Sequence, residues 1–195
     1  MGRICCLIGK SASGKDTVYR ELLKDPVFSF QPLVLYTTRP IREGEVNGRE
    51  YHFVSAKKMQ EFEKQRKLIE RRDYHTVQGI WSYATVDDGS IRPESGNYLA
   101  IETVASFAAL RSYFGSEKVE PLYLEIDDGI RLERALERER QQARPDYAEL
   151  CRRYLADRED FSEKKLAQAG IIRRFDNEKL ADCLKEIKVQ LLSLL

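Results

Sequence analysis

The stretch Gly9-Lys10-Ser11-Ala12-Ser13-Gly14-Lys15-Asp16-Thr17 limits what this chain can fold into more than any other part of it. Before it runs Ile4-Cys5-Cys6-Leu7-Ile8, apolar and of the length of a buried strand. After it, Thr17-Val18-Tyr19-Arg20-Glu21-Leu22-Leu23 spaces its apolar residues as a helix does. A strand, a Gly-x-x-x-x-Gly-Lys loop and a helix together make a phosphate-binding loop. Its two glycines permit a tight curl in which backbone N–H groups point inward at phosphate oxygens. The helix start adds the positive end of its dipole, and Lys15 adds a mobile cation for the outer phosphates. The residue after the lysine in such loops is usually Ser or Thr, whose hydroxyl holds magnesium. Here it is Asp16, with Thr17 next. A carboxylate at that place can take magnesium directly or through water. It can equally act only as a favourable charge at a helix N-terminus.

The rest of the chain alternates strand and helix patterns. Residues 33–36 read as a second strand. A polar stretch with an Asn47-Gly48 turn leads to a strand at 51–54, and Ser55 caps a helix running to about Lys67. Residues 68–70 and 81–86 look extended, the latter ending at the Asp88-Gly89 turn, so 37–86 reads as a β-rich insertion. Further on come a strand at 98–102, a helix from Val104 to Tyr113 closed by Gly115, and a strand at 121–126. Asp127-Asp128 then cap a helix reaching about Gln142. After Pro145 a helix opens at Tyr147, Ile171-Ile172 form a short strand, and 179–195 close the chain as an amphipathic helix. This alternation predicts an α/β fold with a parallel sheet flanked by helices, whose ligands sit at the carboxyl ends of the strands.

Composition excludes several classes. The formal net charge of +1 offers no global field for nucleic acid or an anionic membrane, so any basic site must be local. The four cysteines form no Cys-x-x-Cys pair and only two histidines occur, which argues against zinc. The cysteines read as small buried apolar residues in a reducing compartment. The first apolar run is too short to be a leader or a span, and the expected location is the cytoplasm. Nothing in the pattern fixes an oligomeric state.

From Tyr36 to Val54 the chain carries Thr-Thr-Arg-x-x-Arg-x-Gly-Glu-x-Asn-Gly-x-x-Tyr-x-Phe. Following a phosphate-binding loop at this distance, the stretch resembles guanylate kinases, and the likeness runs from Ile4 to about Arg153. The resemblance implies a P-loop NTPase core, a GMP-binding β insertion and a helical lid. It divides one domain into a core of 1–36, 87–130 and 155–195, an insertion of about 37–86 and a lid of about 131–154. It also implies ATP as co-substrate, Mg2+, for which Asp16 at the usual hydroxyl position is the candidate ligand, and small nucleotides as partners, while the net charge points to neither nucleic acid nor membrane.

Arg39, Arg42 and Tyr51 supply two guanidinium forks and a phenol suited to a dianionic phosphate, and in the family pattern they hold the GMP phosphate. Glu43 and Glu45 in the same loop could instead neutralise those arginines. The resemblance assigns guanine's N1–H and exocyclic amine to Glu70 and Glu102. It adds Tyr83 and Thr85 to the GMP site and sets Leu35 where a serine usually meets the base. Arg131, Arg134 and Arg138 share one helix face, with Glu133 and Glu137 as possible counter-charges. The resemblance makes Arg134, Arg138 and Arg153 catalytic lid arginines beside Lys15, and Asn177 a candidate for adenine contact. Two other functions stay open on the residues alone. One is a related kinase for another small phosphorylated substrate. The other is an inactive guanylate-kinase-like module that binds a protein.

Overall fold

The computed structural model describes residues 2–76 and 79–195; Val77 and Gln78 of the expected insertion lie outside them. The first apolar run is strand β1 (Ile4–Ile8), every residue of it fully buried. It is central because both its faces are apolar, as a strand flanked by parallel neighbours must be. β1 pairs in parallel with β7 (Tyr98–Glu102) on one side and β8 (Val119–Glu125) on the other. The edges are β2 (Gln31–Pro32) beside β7 and β9 (Arg174–Asp176) beside β8, giving the order β2-β7-β1-β8-β9. α1 (Lys15–Lys24) and α7 (Leu180–Leu194) cover one face, where Leu7, Val18, Leu22, Phe175, Ile187 and Leu191 pack together. α3 (Val104–Phe114) and α6 (Glu163–Ala169) cover the other through Phe107, Leu110 and Leu166.

A second sheet has the order β4-β3-β6-β5, built from β3 (Tyr36–Thr37), β4 (His52–Phe53), β5 (Leu68–Thr76) and β6 (Gly79–Val86). The helix α2 (Ala56–Lys64) packs Met59 and Phe62 beneath it, and the Ser55 hydroxyl accepts from the Lys58 N–H as the expected cap. Two helices complete the chain, α4 (Asp128–Arg140) and α5 (Tyr147–Asp160).

Four expectations need correction. Residues 33–36 are not one strand. The Leu33 N–H donates to Leu99 O at the edge of the large sheet, while Leu35 O accepts from the His52 N–H in the small one. The run crosses between the sheets, and its apolar residues serve two cores. The last strand is β9 rather than Ile171-Ile172, because Ile172 is 86% exposed whereas Phe175 is fully buried. A lone aromatic between Arg174 and Asp176 is an alternating edge-strand pattern that an apolar-pair search passes over. The α6 helix was not expected at all. Cys151 is exposed, unlike the buried Cys5, Cys6 and Cys183. None of the described helices is long and apolar enough to cross a membrane.

Candidate active site

The carboxyl edge of the large sheet gathers the site. Ile8 stands in register with Glu102 on β7 and with Tyr123 on β8, so the loop from Gly9 opens beside Glu102 and beneath Asp127. A side chain at Gly9 would meet Leu124 O at 2.7 Å and Ser13 Oγ at 2.8 Å. Gly14 takes a φ of 91°, and a Cβ there would lie 2.4 Å from Asn177 Nδ2. Both glycines are therefore steric requirements of the curl. Ala12 holds a φ of 62°, local strain of the kind kept at functional loops. Lys15 Nζ folds over the loop and donates to Gly9 O at 2.5 Å and Lys10 O at 2.8 Å. Burial pulls its pKa down to about 8, with Asp157 and Asp16 opposing that shift. Asp16 lies exposed in the first turn of α1, next to Thr17.

Asn177 lies against the loop. It is buried, and Nδ2 donates to Ser13 O at 2.7 Å, so its work is to hold the loop's backbone. Arg134 faces backbone carbonyls. Its guanidinium donates to Asn177 O at 3.2 Å and Glu178 O at 3.0 Å, because the turn after β9 presents its carbonyls to that face of α4. Arg138 and Arg153 instead line a cleft of about 270 Å³ with Ser11, Arg131 and Tyr154. Arg153 donates to Glu149 at 2.6 Å, and Arg152 shares that acid. Those bonds, Arg152's first, hold the Glu149 carboxyl down at about 2.

Sequence reasoning missed the group that joins α4 and α5 to the loop. Asp157 Oδ2 accepts from the Ser11 N–H at 2.8 Å and from Arg131 Nη1 at 3.1 Å. Arg131, almost wholly buried, also donates to Asp128 at 2.6 Å and lies 4.1 Å from the Tyr154 ring centroid. Asp128 in turn accepts from Lys10 at 2.9 Å. An acid in a charged helix carries no mark along the chain that separates such a role from a solvated face.

On the small sheet, Arg39 is buried between the rings of Tyr51 and Phe53, each centroid 5.4 Å away. Its two terminal nitrogens donate to Glu45 at 3.0 and 2.7 Å, so the counter-charge foreseen in the loop is real. Arg42 is exposed, and its backbone N–H donates to the same carboxylate at 2.7 Å. Tyr51 meets Tyr83 edge to face, with centroids 5.5 Å apart. These rings line a cavity of about 330 Å³ with Leu35, Arg72 and Trp81. A register shift between Leu68 and Glu70 sets Glu70 opposite Thr85, whose hydroxyl donates to Glu70 Oε1 at 3.2 Å. Thr85 thus orients an acid. Arg72 donates to both oxygens of Glu70, Nε at 3.1 Å and Nη2 at 3.3 Å.

Glu102 is buried and neither of its carboxylate oxygens has a hydrogen-bond partner. Burial pushes its pKa up to about 7, with the nearby Ser106 hydroxyl and then Arg72 opposing and Glu70 adding to the rise. A raised acid binds its proton in the folded chain between its unfolded value of about 4.3 and 7, so folding stability falls as pH rises through that window. Glu102→Gln, which cannot titrate, is expected to lose less melting temperature than the wild type between about pH 5 and pH 8. Parallel melting curves for the two proteins would deny Glu102 that role.

Residues 1–88 match the family model for guanylate kinase. Among curated proteins, the guanylate kinase of Lactobacillus johnsonii is 44% identical over 73 residues, covering 37% of this chain and 36% of that protein. The guanylate kinase of Rhodopirellula baltica is 38% identical over 90 residues, covering 45% of this chain and 41% of that one. The matched stretch thus spans little more than a third of the length of the first of these relatives. The crystal structure of guanylate kinase from Anaplasma phagocytophilum superposes with a TM-score of 0.67 over 98% of this chain and 85% of that one. At 18% identity it speaks for the fold.

Proposed function

We propose that this chain, whose first 88 residues match the family model for guanylate kinase, transfers the γ-phosphoryl group of ATP to GMP, giving ADP and GDP. One observation carries the reading furthest. β1 and β7 are paired in a register that opens the phosphate-binding loop and Glu102 onto the same sheet edge, with Glu70 and Arg72 beside Glu102. A triphosphate site therefore adjoins acids that complement guanine's donor edge. Adenine presents an acceptor at N1, and a site built for a substrate's donors can reject such an analogue by about 10⁴–10⁵.

In this reading Arg39, Arg42 and Tyr51 hold the GMP phosphate, Arg39 exchanging part of its Glu45 pairing for it. One oxygen of that phosphate attacks the γ-phosphorus, and the bond to the bridging oxygen of the leaving ADP breaks. Lys15 and the guanidinium groups of Arg138 and Arg153 neutralise the charge spread over the transferring group. Tyr83 stays with the GMP site. Arg134 acts by fixing α4 against the turn after β9. Asp16 is an exposed oxygen donor of the kind Mg2+ takes, and with phosphate oxygens it would hold the ion that draws charge from the β- and γ-phosphates. Nucleotide substrates and free thiols suit a cytoplasmic setting.

A coupled assay of ADP release over GMP, dGMP, AMP, UMP and ribose phosphates tests the reading. GMP is expected to be used at least about 10³-fold better than AMP. Equal use of both, or preference for a ribose phosphate, would replace GMP by another substrate. The Asp16 variants separate enzyme from relic in the same assay. Asp16→Ala should raise the magnesium requirement and slow turnover. Asp16→Ser, which restores a neutral oxygen ligand, should retain most of it. A silent wild type beside an active Asp16→Ser variant would favour the inactive binding module.

A further inference from the structure

Arg72 is a cation set between the two acids. Its Nε and Nη2 form a fork on both oxygens of Glu70, and Nη2 lies 3.8 Å from Glu102 Oε2. The pair is largely withdrawn from water, with side-chain exposures of 22% for Arg72 and 7% for Glu70. Two parallel N–H donors on one carboxylate are also what guanine's N1–H and exocyclic amine present. Resting on the guanylate reading above, we propose that Arg72 is a specificity-determining residue: its fork holds the Glu70 carboxylate with guanine's own donor pattern, and a base enters only by replacing it.

Capacity supports the exchange. A carboxylate has about four lone-pair sites, and Glu70 already accepts Arg72 Nε, Arg72 Nη2 and the Thr85 hydroxyl. Two more donors from a base do not fit while the fork stays. The displaced guanidinium has a destination in Glu102 Oε2, which leaves Oε1 for the base, since neither buried oxygen has a hydrogen-bond partner. A shift of about 1 Å brings Nη2 into hydrogen-bond range of it. Guanine then trades a charged pair on Glu70 for its own pair and leaves Arg72 satisfied. Adenine, without the paired donors, would strand Glu70, and hypoxanthine supplies only one of the two. The fork is thus a filter that only the full donor edge can open.

Trp81, the sole tryptophan, lines the cavity with Arg72 and reports binding by its fluorescence without any turnover. Titrations use GMP, IMP and AMP at one fixed pH of about 8.5, above the titration of Glu102 in the wild type. Arg72→Met keeps the stem and removes the fork; it is expected to tighten GMP about tenfold and to narrow the gap between GMP and IMP. In a Glu70→Gln background the same change should leave GMP binding unaltered, because the competitor's partner is gone. Arg72→Lys keeps the charge without the fork, and should tighten GMP by a smaller factor; it also serves if the methionine variant does not fold. Weaker GMP binding in Arg72→Met, or an equal effect in both backgrounds, would overturn the competition and make Arg72 a direct ligand of the base or a prop of the strand. If neither wild type nor variant binds GMP, the guanylate reading falls and takes this inference with it. A wild type that binds GMP, with no tightening in either variant, overturns the role of Arg72 alone.

Discussion

Lys15→Ala is expected to fold normally and to lose phosphoryl transfer by at least about 10³-fold. The side chain's contacts are local: two loop carbonyls, Gly9 O and Lys10 O, and the Ser13 hydroxyl at 3.5 Å. Their loss costs about 1 kcal/mol, and removing a cation that burial already disfavours offsets part of it. Turnover is another matter, because in the proposed reaction the ammonium acts on charge that grows during transfer. Its depressed pKa of about 8 still leaves it mostly protonated at neutral pH, with activity expected to fall as pH rises through that value. Single-turnover transfer from ATP, measured beside a thermal melt, checks both halves. Near-normal transfer by a folded Lys15→Ala protein would remove the loop from the chemistry.

The second large effect is on stability. Asp157→Ala takes one of two acids from the buried Arg131, whose Nη2 already has no hydrogen-bond partner, and releases the Ser11 N–H. Breaking one side of a buried pair costs about 3 kcal/mol, since the remaining charge stays desolvated. In a chain of this size that is roughly 6–12 °C of melting temperature. Asp157→Asn keeps an acceptor for the Ser11 N–H and should lose about half as much. The ATP requirement should rise in Asp157→Ala, where the loop loses its tie to α5, and change little in Asp157→Asn. A melt within about 1 °C of wild type in Asp157→Ala would show that Asp128 alone satisfies Arg131.

The two variants differ in how far the chain itself announces them. Lys15 is legible because everything that defines it is within a few residues: an apolar strand, two glycines, a helix start. The strands at 98–102 and the helix after Thr103 are legible for the same reason, and they appear at those bounds or within a residue of them. Where a local signal is shared by two partners it misleads. Leu33 and Leu35 are one apolar run to a periodicity count, yet each belongs to a different sheet. Phe175 is one aromatic among charges, and only its burial between β8 and α7 makes that segment a strand.

By itself, then, the sequence determined the phosphate-binding loop, the alternation of strands and helices, and the arginine-rich motif from Thr37 to Phe53. These depend on backbone conformation and spacing, which neighbours along the chain dictate. Only the tertiary structure decided what each charged side chain does. Arg131 finds Asp157 26 positions away, and Asn177 braces Ser13 across 164. Arg134 turns to backbone carbonyls, and Arg72 stands on Glu70 with Glu102 in reach. A guanidinium's spacing along a helix or strand says which face it occupies. Its partner is set by whichever carboxylate or carbonyl the fold brings within about 3 Å, and by how much water is left between them.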